Sequence, residues 1–406
     1  MDRALIPEGV KRCSPGTFFL FQAIWLGLVG FGLLGAALCL GLGLNQTGLN
    51  DYFGFGLWIV FDLAVIALGA GAFSSGLLLY VFGKKELKPV INAAVIIGFI
   101  CYSGAVGMLG IDIGQPIRGW FGFWHAQVHS MLTEVMFCIT TYLFVLLIEY
   151  LPVILENRKI DAIPEFHFFS HNLHEIMVVF AATGAFLSFF HQGSLGGLYG
   201  VMYARPFAAR TGFLIWPWTF FLFILSAVAS GPAFTLTIVW LTQKITGRTL
   251  VPRYTLQFLA KVAGTVLLVY AVLKSLDTYY WITVVAPSYG NVLMDFYKAP
   301  YGISLLILEH LFAILPLFVL LNPRLREKDH WLIPACLIDI AGICINRFVF
   351  TVQTSAIPVM PFDRYIGYSA TWQEWSIAIA MLAYGMLVYS LSYRYLPVFP
   401  MEKELN

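Results

Sequence analysis

Apolar residues run along this chain in long blocks, separated by short segments rich in Lys, Arg, Pro and Asn. A helix needs about 20 apolar residues to cross a hydrocarbon core roughly 30 Å thick. Breaking the chain at its polar and Pro-marked gaps gives about ten blocks, at 17–44, 53–82, 89–113, 122–150, 170–192, 212–243, 256–276, 301–321, 331–356 and 372–395. None alternates with the period of two that a membrane strand requires, so a β-barrel is excluded. The pattern predicts an all-α polytopic membrane protein with about ten transmembrane helices. The first block is longer than the 7–15 residues of a cleavable signal core and is read as a retained helix.

Basic residues set the orientation, because positive charge is retained on the cytoplasmic side. Sixteen Lys and Arg fall at the N-terminus, in alternate connections (near 84–88, 158–159, 244–253 and 324–328) and in the tail. Five (Arg118, Arg205, Arg210, Lys298 and Arg364) fall on the other side. Both termini are therefore expected in the cytoplasm. The outer connections, 193–211 and 277–300, are the longer and more aromatic ones, suited to receiving a partner.

An internal repeat follows from two pairs of segments. Glu134-Val135-Met136-Phe137 and Leu143-Phe144-Val145-Leu146-Leu147 match Glu309-His310-Leu311-Phe312 and Leu317-Phe318-Val319-Leu320-Leu321, while Gly69 to Phe73 match Ser230 to Phe234. Members of each pair lie four helices apart, which predicts two parallel-repeat four-helix bundles plus flanking first and last helices. The expected divisions are 1–51, 52–192, 193–356 and 357–406. Gly69, Gly71 and Gly76 are read as packing residues that let helices approach closely.

Composition narrows the class further. With 59% hydrophobic and 11% charged residues and a net charge of +2, the chain has no field to hold a polyanion, so nucleic acid is not its partner. Six cysteines show no C-x-x-C, no C-x-x-C-H and no zinc-like spacing with His, so an iron–sulfur cluster or haem c must belong to another subunit.

Ionisable groups inside a bilayer are costly and therefore functional candidates. Asp62, His125, His129 and His191 are placed in the outer half of their helices, Glu134 and Glu309 deeper, and His174 and Glu175 toward the cytoplasm. Carboxylate and imidazole beside aromatic surface suit a quinone, whose two oxygens need hydrogen-bond donors when oxidised and proton acceptors when reduced. On the fourth helix His125 and His129 share one face, whereas Ser130, Glu134 and Thr141 share another that could point toward His174 and Glu175.

At these residues the sequence resembles the NrfD/PsrC family of polysulfide-reductase-type membrane subunits, in its ten-helix branch. The resemblance is carried by Phe55-Gly56-Leu57-Trp58-Ile59-Val60-Phe61-Asp62 with Gly69-Ala70-Gly71, by Val128-His129-Ser130 through Glu134-Val135 to Glu149 and Pro152, and by His191-Gln192-Gly193-Ser194-Leu195-Gly196. It covers about half of the chain. It implies a haem-free quinone site at the outer face of a bacterial inner-membrane complex. Menaquinone or another quinone would be the substrate, and electrons would be exchanged with a periplasmic iron–sulfur subunit accompanied by a molybdopterin-family or multihaem cytochrome c subunit. Asp62, His125, His129, His191 and Gln192 become quinone-site candidates. Ser130, Glu134, Thr141, His174, Glu175, Glu309 and His310 become candidates for a proton path. Phe223 stands where the second bundle would need a counterpart of Asp62, which argues against a second site.

Two other readings use the same residues. A haem b anchor would draw on the helical histidines, although His125 and His129 lie one turn apart instead of at the spacing of paired axial ligands, and an absorption spectrum distinguishes it. A secondary transporter would use the repeat and the Gly231-Pro232 break, and flux without an electron donor would reveal it.

Overall fold

The computed structural model describes residues 2–200, 212–213, 216–288, 290, 292, 300–356 and 364–402. Among them nine helices are long and apolar enough to span a bilayer: α1 Pro15–Leu42, α2 Leu57–Val81, α3 Ile91–Asp112, α4 Met131–Leu155, α5 Met177–Gly200, α6 Trp218–Thr246, α7 Arg253–Ser288, α9 Asp329–Ala356 and α10 Trp372–Tyr395. A tenth apolar element, α8 Ser304–Leu320, is shorter, and Pro316 interrupts it. The strand pairing described is a two-residue ladder, Gly212–Phe213 against Trp216–Pro217.

Helices α2, α3, α4 and α5 pack in a ring, and so do α6, α7, α8 and α9. The rings meet where α2 and α5 lie on α6 and where α2 touches α9. Their closest approach is built from glycine: a Cβ on Gly71 would stand 2.1 Å from Thr235 Oγ1 and 2.6 Å from the Gly231 carbonyl. Gly69 is similarly tight against Cys101, at 2.8 Å, whereas Gly76 has an ordinary 3.6 Å neighbour. Small residues serve here because lipid supplies no hydrophobic drive between helices, so backbone proximity has to supply dispersion. Gly71→Val is expected to lower thermal stability in detergent by about 1–3 kcal/mol through overpacking. Gly30→Val, where nothing lies within 4 Å, should change it little; equal melting of the two variants would refute the close-contact argument.

Outside the rings, α1 pairs with α10. Ser14 caps α1 and Thr371 with Glu374 forms a capping box on α10. The two helices clasp where Gly32 faces Ala380 and Gly35 faces Ser376.

Hydrogen bonds show which connections share a face. On the N-terminal face, Glu402 pairs with Arg12 at 2.7 Å and Arg248 at 3.0 Å, Asn157 donates to Leu5 and Tyr395 carbonyls, Thr255 donates to Glu86, and Arg253 pairs with Asp329. On the opposite face, Gly48 N donates to Glu374 at 2.7 Å, Leu57 N to the Tyr368 hydroxyl, and Gln353 to Gly302.

Several boundaries differ from the sequence reading. The expected helix 122–150 begins only at Met131, because His125, Gln127, His129 and Ser130 crowd six residues with polar groups; a turn from Ser130 N to the Gln127 carbonyl precedes the helix. The expected helix 170–192 divides into an amphipathic Pro164–Glu175 segment and α5. The expected connections 193–211 and 277–300 are helical as far as Gly200 and Ser288. Arg205, Arg210 and Lys298 lie outside the described residues.

Candidate functional site

Three helices of the first ring converge on a set of buried polar side chains. Asp62 is the sixth residue of α2, about 8 Å in from the opposite-face end, and only 4% exposed. Its Oδ1 has no hydrogen-bond partner. Asp112, at the same end of α3, is its electrostatic neighbour and also has an unpartnered Oδ1. His191 and Gln192 stand on α5, both fully buried. The imidazole lies beside the Val135 carbonyl and the Gln192 amide beside the Tyr102 hydroxyl, yet neither completes a well-formed hydrogen bond. The Tyr102 ring is 5.9 Å from the His191 ring, and its hydroxyl is bonded to Ser188 at 2.8 Å. Native proteins leave few buried polar atoms unpaired, since each costs about 1–3 kcal/mol. Such a concentration suits a polar ligand that supplies both donors and acceptors.

Other candidates are placed differently. His125 and His129 lie on an exposed segment before α4, so they share no helical face and do not enter the buried set. Ser130 is the residue preceding α4, and Thr141 is exposed on the outside of that helix. Glu134 sits in the first turn of α4, not at mid-depth, and accepts a hydrogen bond from Ser194 at 2.7 Å. His174 and Glu175 are exposed on the Pro164–Glu175 helix, outside the spans. The polarity of that segment (His167, His171, Asn172, His174) keeps it at the interface. His174 pairs with Glu156 at 2.8 Å, and that hydrogen bond raises its pKa.

The second ring holds a different arrangement. Glu309 on α8 is buried and takes Lys274 at 2.7 Å and Asn346 at 3.0 Å on one oxygen. Arg347 is fully buried, donates to Asn346 at 2.7 Å and to Ser226 at 2.9 Å, and lies 3.7 Å over the Phe223 ring. Phe223 therefore packs against a cation and the Tyr199 and Phe350 rings. His310 is half-buried with Nδ1 bonded to the Leu306 carbonyl at 2.9 Å.

Sequence reasoning missed Lys274, Tyr102, Tyr142 and Asp112. Lys274 fell at the edge of a helix read as ending at 276, where a lysine can snorkel to water; α7 continues to Ser288 and buries it. The tyrosines carry no charge and drew no attention. One signal was available: Tyr142, Glu149 and Glu156 recur every seven residues, which puts Tyr142 and Glu149 on one stripe of α4 and Glu156 at its C-cap, in line with them. Tyr142 and Glu149 are buried, and the Tyr142 hydroxyl has no partner.

Known proteins give this geometry a family. The chain is 53% identical, over its whole length and 98% of the relative's, to the integral membrane subunit of menaquinone reductase from Nitratidesulfovibrio vulgaris. It is 25% identical, over 90% of this chain and 88% of the relative, to a probable Ni/Fe-hydrogenase 2 b-type cytochrome subunit from Escherichia coli. A selenate reductase subunit of Mesobacillus selenatarsenatis is 23% identical over 92% of this chain and 93% of its own. Residues 45–358 match the family model described as polysulphide reductase, NrfD, and the chain belongs to that family.

Proposed function

We propose that this chain is the quinone-reactive membrane subunit of a respiratory oxidoreductase complex in the bacterial inner membrane, with menaquinone or a related quinone as its substrate. The carrying observation is the group of unpartnered polar atoms on Asp62, His191 and Gln192, buried within helix depth of one face. A quinone reduced there takes up two electrons from the partner and two protons, one on each oxygen. His191 and Gln192 donate hydrogen bonds that orient the ring, and Asp62 is the group able to hold and pass a proton. The name of the menaquinone reductase relative supports this class of substrate.

The basic connections share the N-terminal face, which supports a cytoplasmic location for both termini. The opposite face would then meet a periplasmic iron–sulfur subunit, itself joined to a molybdopterin-family or multihaem cytochrome c subunit. Exposed Ile117, Trp120, Trp124 and Val128, beside His125 and His129, offer it an apolar surface. Protons reach the site from the cytoplasm along the α4 stripe, from the His174–Glu156 pair through Glu149 and Tyr142. Each charge crossing the membrane is worth about 2.3 kcal/mol per 100 mV. The two rings read as copies of one unit, since Glu134 on α4 accepts from Ser194 on α5 as Glu309 on α8 accepts from Asn346 on α9.

The purified complex in liposomes, given its reduced partner and a menaquinone analogue, should reduce the quinone and generate a potential reported by a voltage-sensitive dye, and this chain should show no haem absorption bands. Stoichiometric haem in the isolated chain favours the cytochrome reading. Quinone reduction with no potential would mean that the protons enter from outside.

A further inference from the structure

A cleft of about 330 Å³ lies between α1, α3 and α10, away from the polar set. It exists because α1 and α10 clasp through Gly32 and Gly35, while α3 packs more closely on α10 than on α1 and leaves a slot facing α1. Gly104, Gly107 and Ile111 line one wall, and Leu33, Met381 and Tyr384 the others. The wall is chemically apolar: the one conspicuous polar pair, Ser103 Oγ and Tyr384 Oη, satisfies itself at 2.8 Å. A Cβ on Gly104 would meet only Met381 and Tyr384, at 3.9 and 4.0 Å, so the glycine leaves the space open.

The α3 wall of the slot leads to the end of that helix at which Asp112 stands. Residues 104, 107 and 111 climb α3 over about 10 Å, and the next residue, Asp112, carries the unpartnered oxygen beside Asp62. A ligand joining a polar ring to a thin apolar chain matches this sequence of surfaces. We propose that the cleft holds the isoprenoid tail of the quinone whose ring sits at the Asp62, His191 and Gln192 set, with Asp112 between ring and tail, an inference that rests on the quinone reading above. The volume is at the lower end of the roughly 300–1,000 Å³ found for small-molecule sites, as suits a segment of chain with its ring lodged elsewhere. Met381 is unbranched and can adapt to such a chain.

Gly104→Leu fills the slot and provides the test in the intact complex. The KM for long-tailed menaquinone, divided by that for a tail-less naphthoquinone, should rise about tenfold. Gly30→Leu, on the exposed side of α1, should leave that ratio where it is. An unchanged ratio in Gly104→Leu, or an equal rise in Gly30→Leu, overturns the proposal. Wild-type complex labelled with a diazirine-tailed quinone gives an answer that does not depend on the variant's folding. Label is expected on α3 and α10 peptides around Gly104 and Met381, and excess long-tailed quinone should displace it. Labelling there by a diazirine phospholipid that quinone does not displace would make the cleft a lipid slot. Failure of the complex to reduce either quinone would instead sink the reading of the site itself.

Discussion

Asp62→Asn is expected to lower quinone turnover by about 10²-fold, the lower end of what a positioned acid–base group contributes, while oxidation of the partner by artificial acceptors continues at the wild-type rate. Asparagine has nearly the shape of aspartate and keeps a hydrogen-bond acceptor at the same place, but it cannot carry a proton at physiological pH. Asp62 is 4% exposed with one oxygen unpartnered and Asp112 nearby, so the substitution breaks no hydrogen bond at that oxygen. Measuring both activities on one preparation separates the outcomes. Parallel loss of the two would indicate faulty assembly, and full quinone turnover would remove Asp62 from the proton chemistry.

Lys274→Met is expected to cost about 3–5 kcal/mol of stability, because it leaves the Glu309 carboxylate buried without its cation. Both side chains are almost wholly inaccessible, at 3% and 2%. Combining Lys274→Met with Glu309→Gln removes both charges and keeps an acceptor for Asn346, so most of the loss should return. Unfolding rates in detergent at fixed temperature check this. A single variant as stable as the wild type would mean that the pair is not ionised, or that it opens to water. The same Glu309→Gln change also addresses conduction: a normal charge-to-electron ratio in liposomes would make Glu309 a structural partner of Lys274 and leave the α4 stripe as the route.

Helix termini were the weak point of reasoning from the chain alone. The continuous helix assumed from 122 put His125 and His129 on one face and Thr141 beside Glu134. At 100° per residue such assignments hold only if the helix is unbroken. Polar crowding ended it at Met131, so both histidines left the bundle; Glu134 and Thr141 still share a face of α4, but packing leaves that face exposed at Thr141. In the other direction, α7 ran twelve residues further than expected and carried Lys274 into the interior. His191, Gln192 and Asp62 kept buried positions because they stand well inside runs whose apolar character is unambiguous.

Order and composition of residues were enough to establish a multi-pass helical membrane protein, roughly where it crosses, and which connections carry the basic residues. These follow from transfer free energies that act on each segment separately. The Gly-rich stretches that let α2 and α6 meet were equally visible. Which polar groups face one another emerged only from packing: Asp62 near Tyr102 and Asp112, Glu309 against Lys274, Arg347 over Phe223, and a cleft beside Gly104. Those relations depend on crossing positions and depths fixed among several helices at once, and a shift of one or two residues at a helix end changes the partner of every group beyond it.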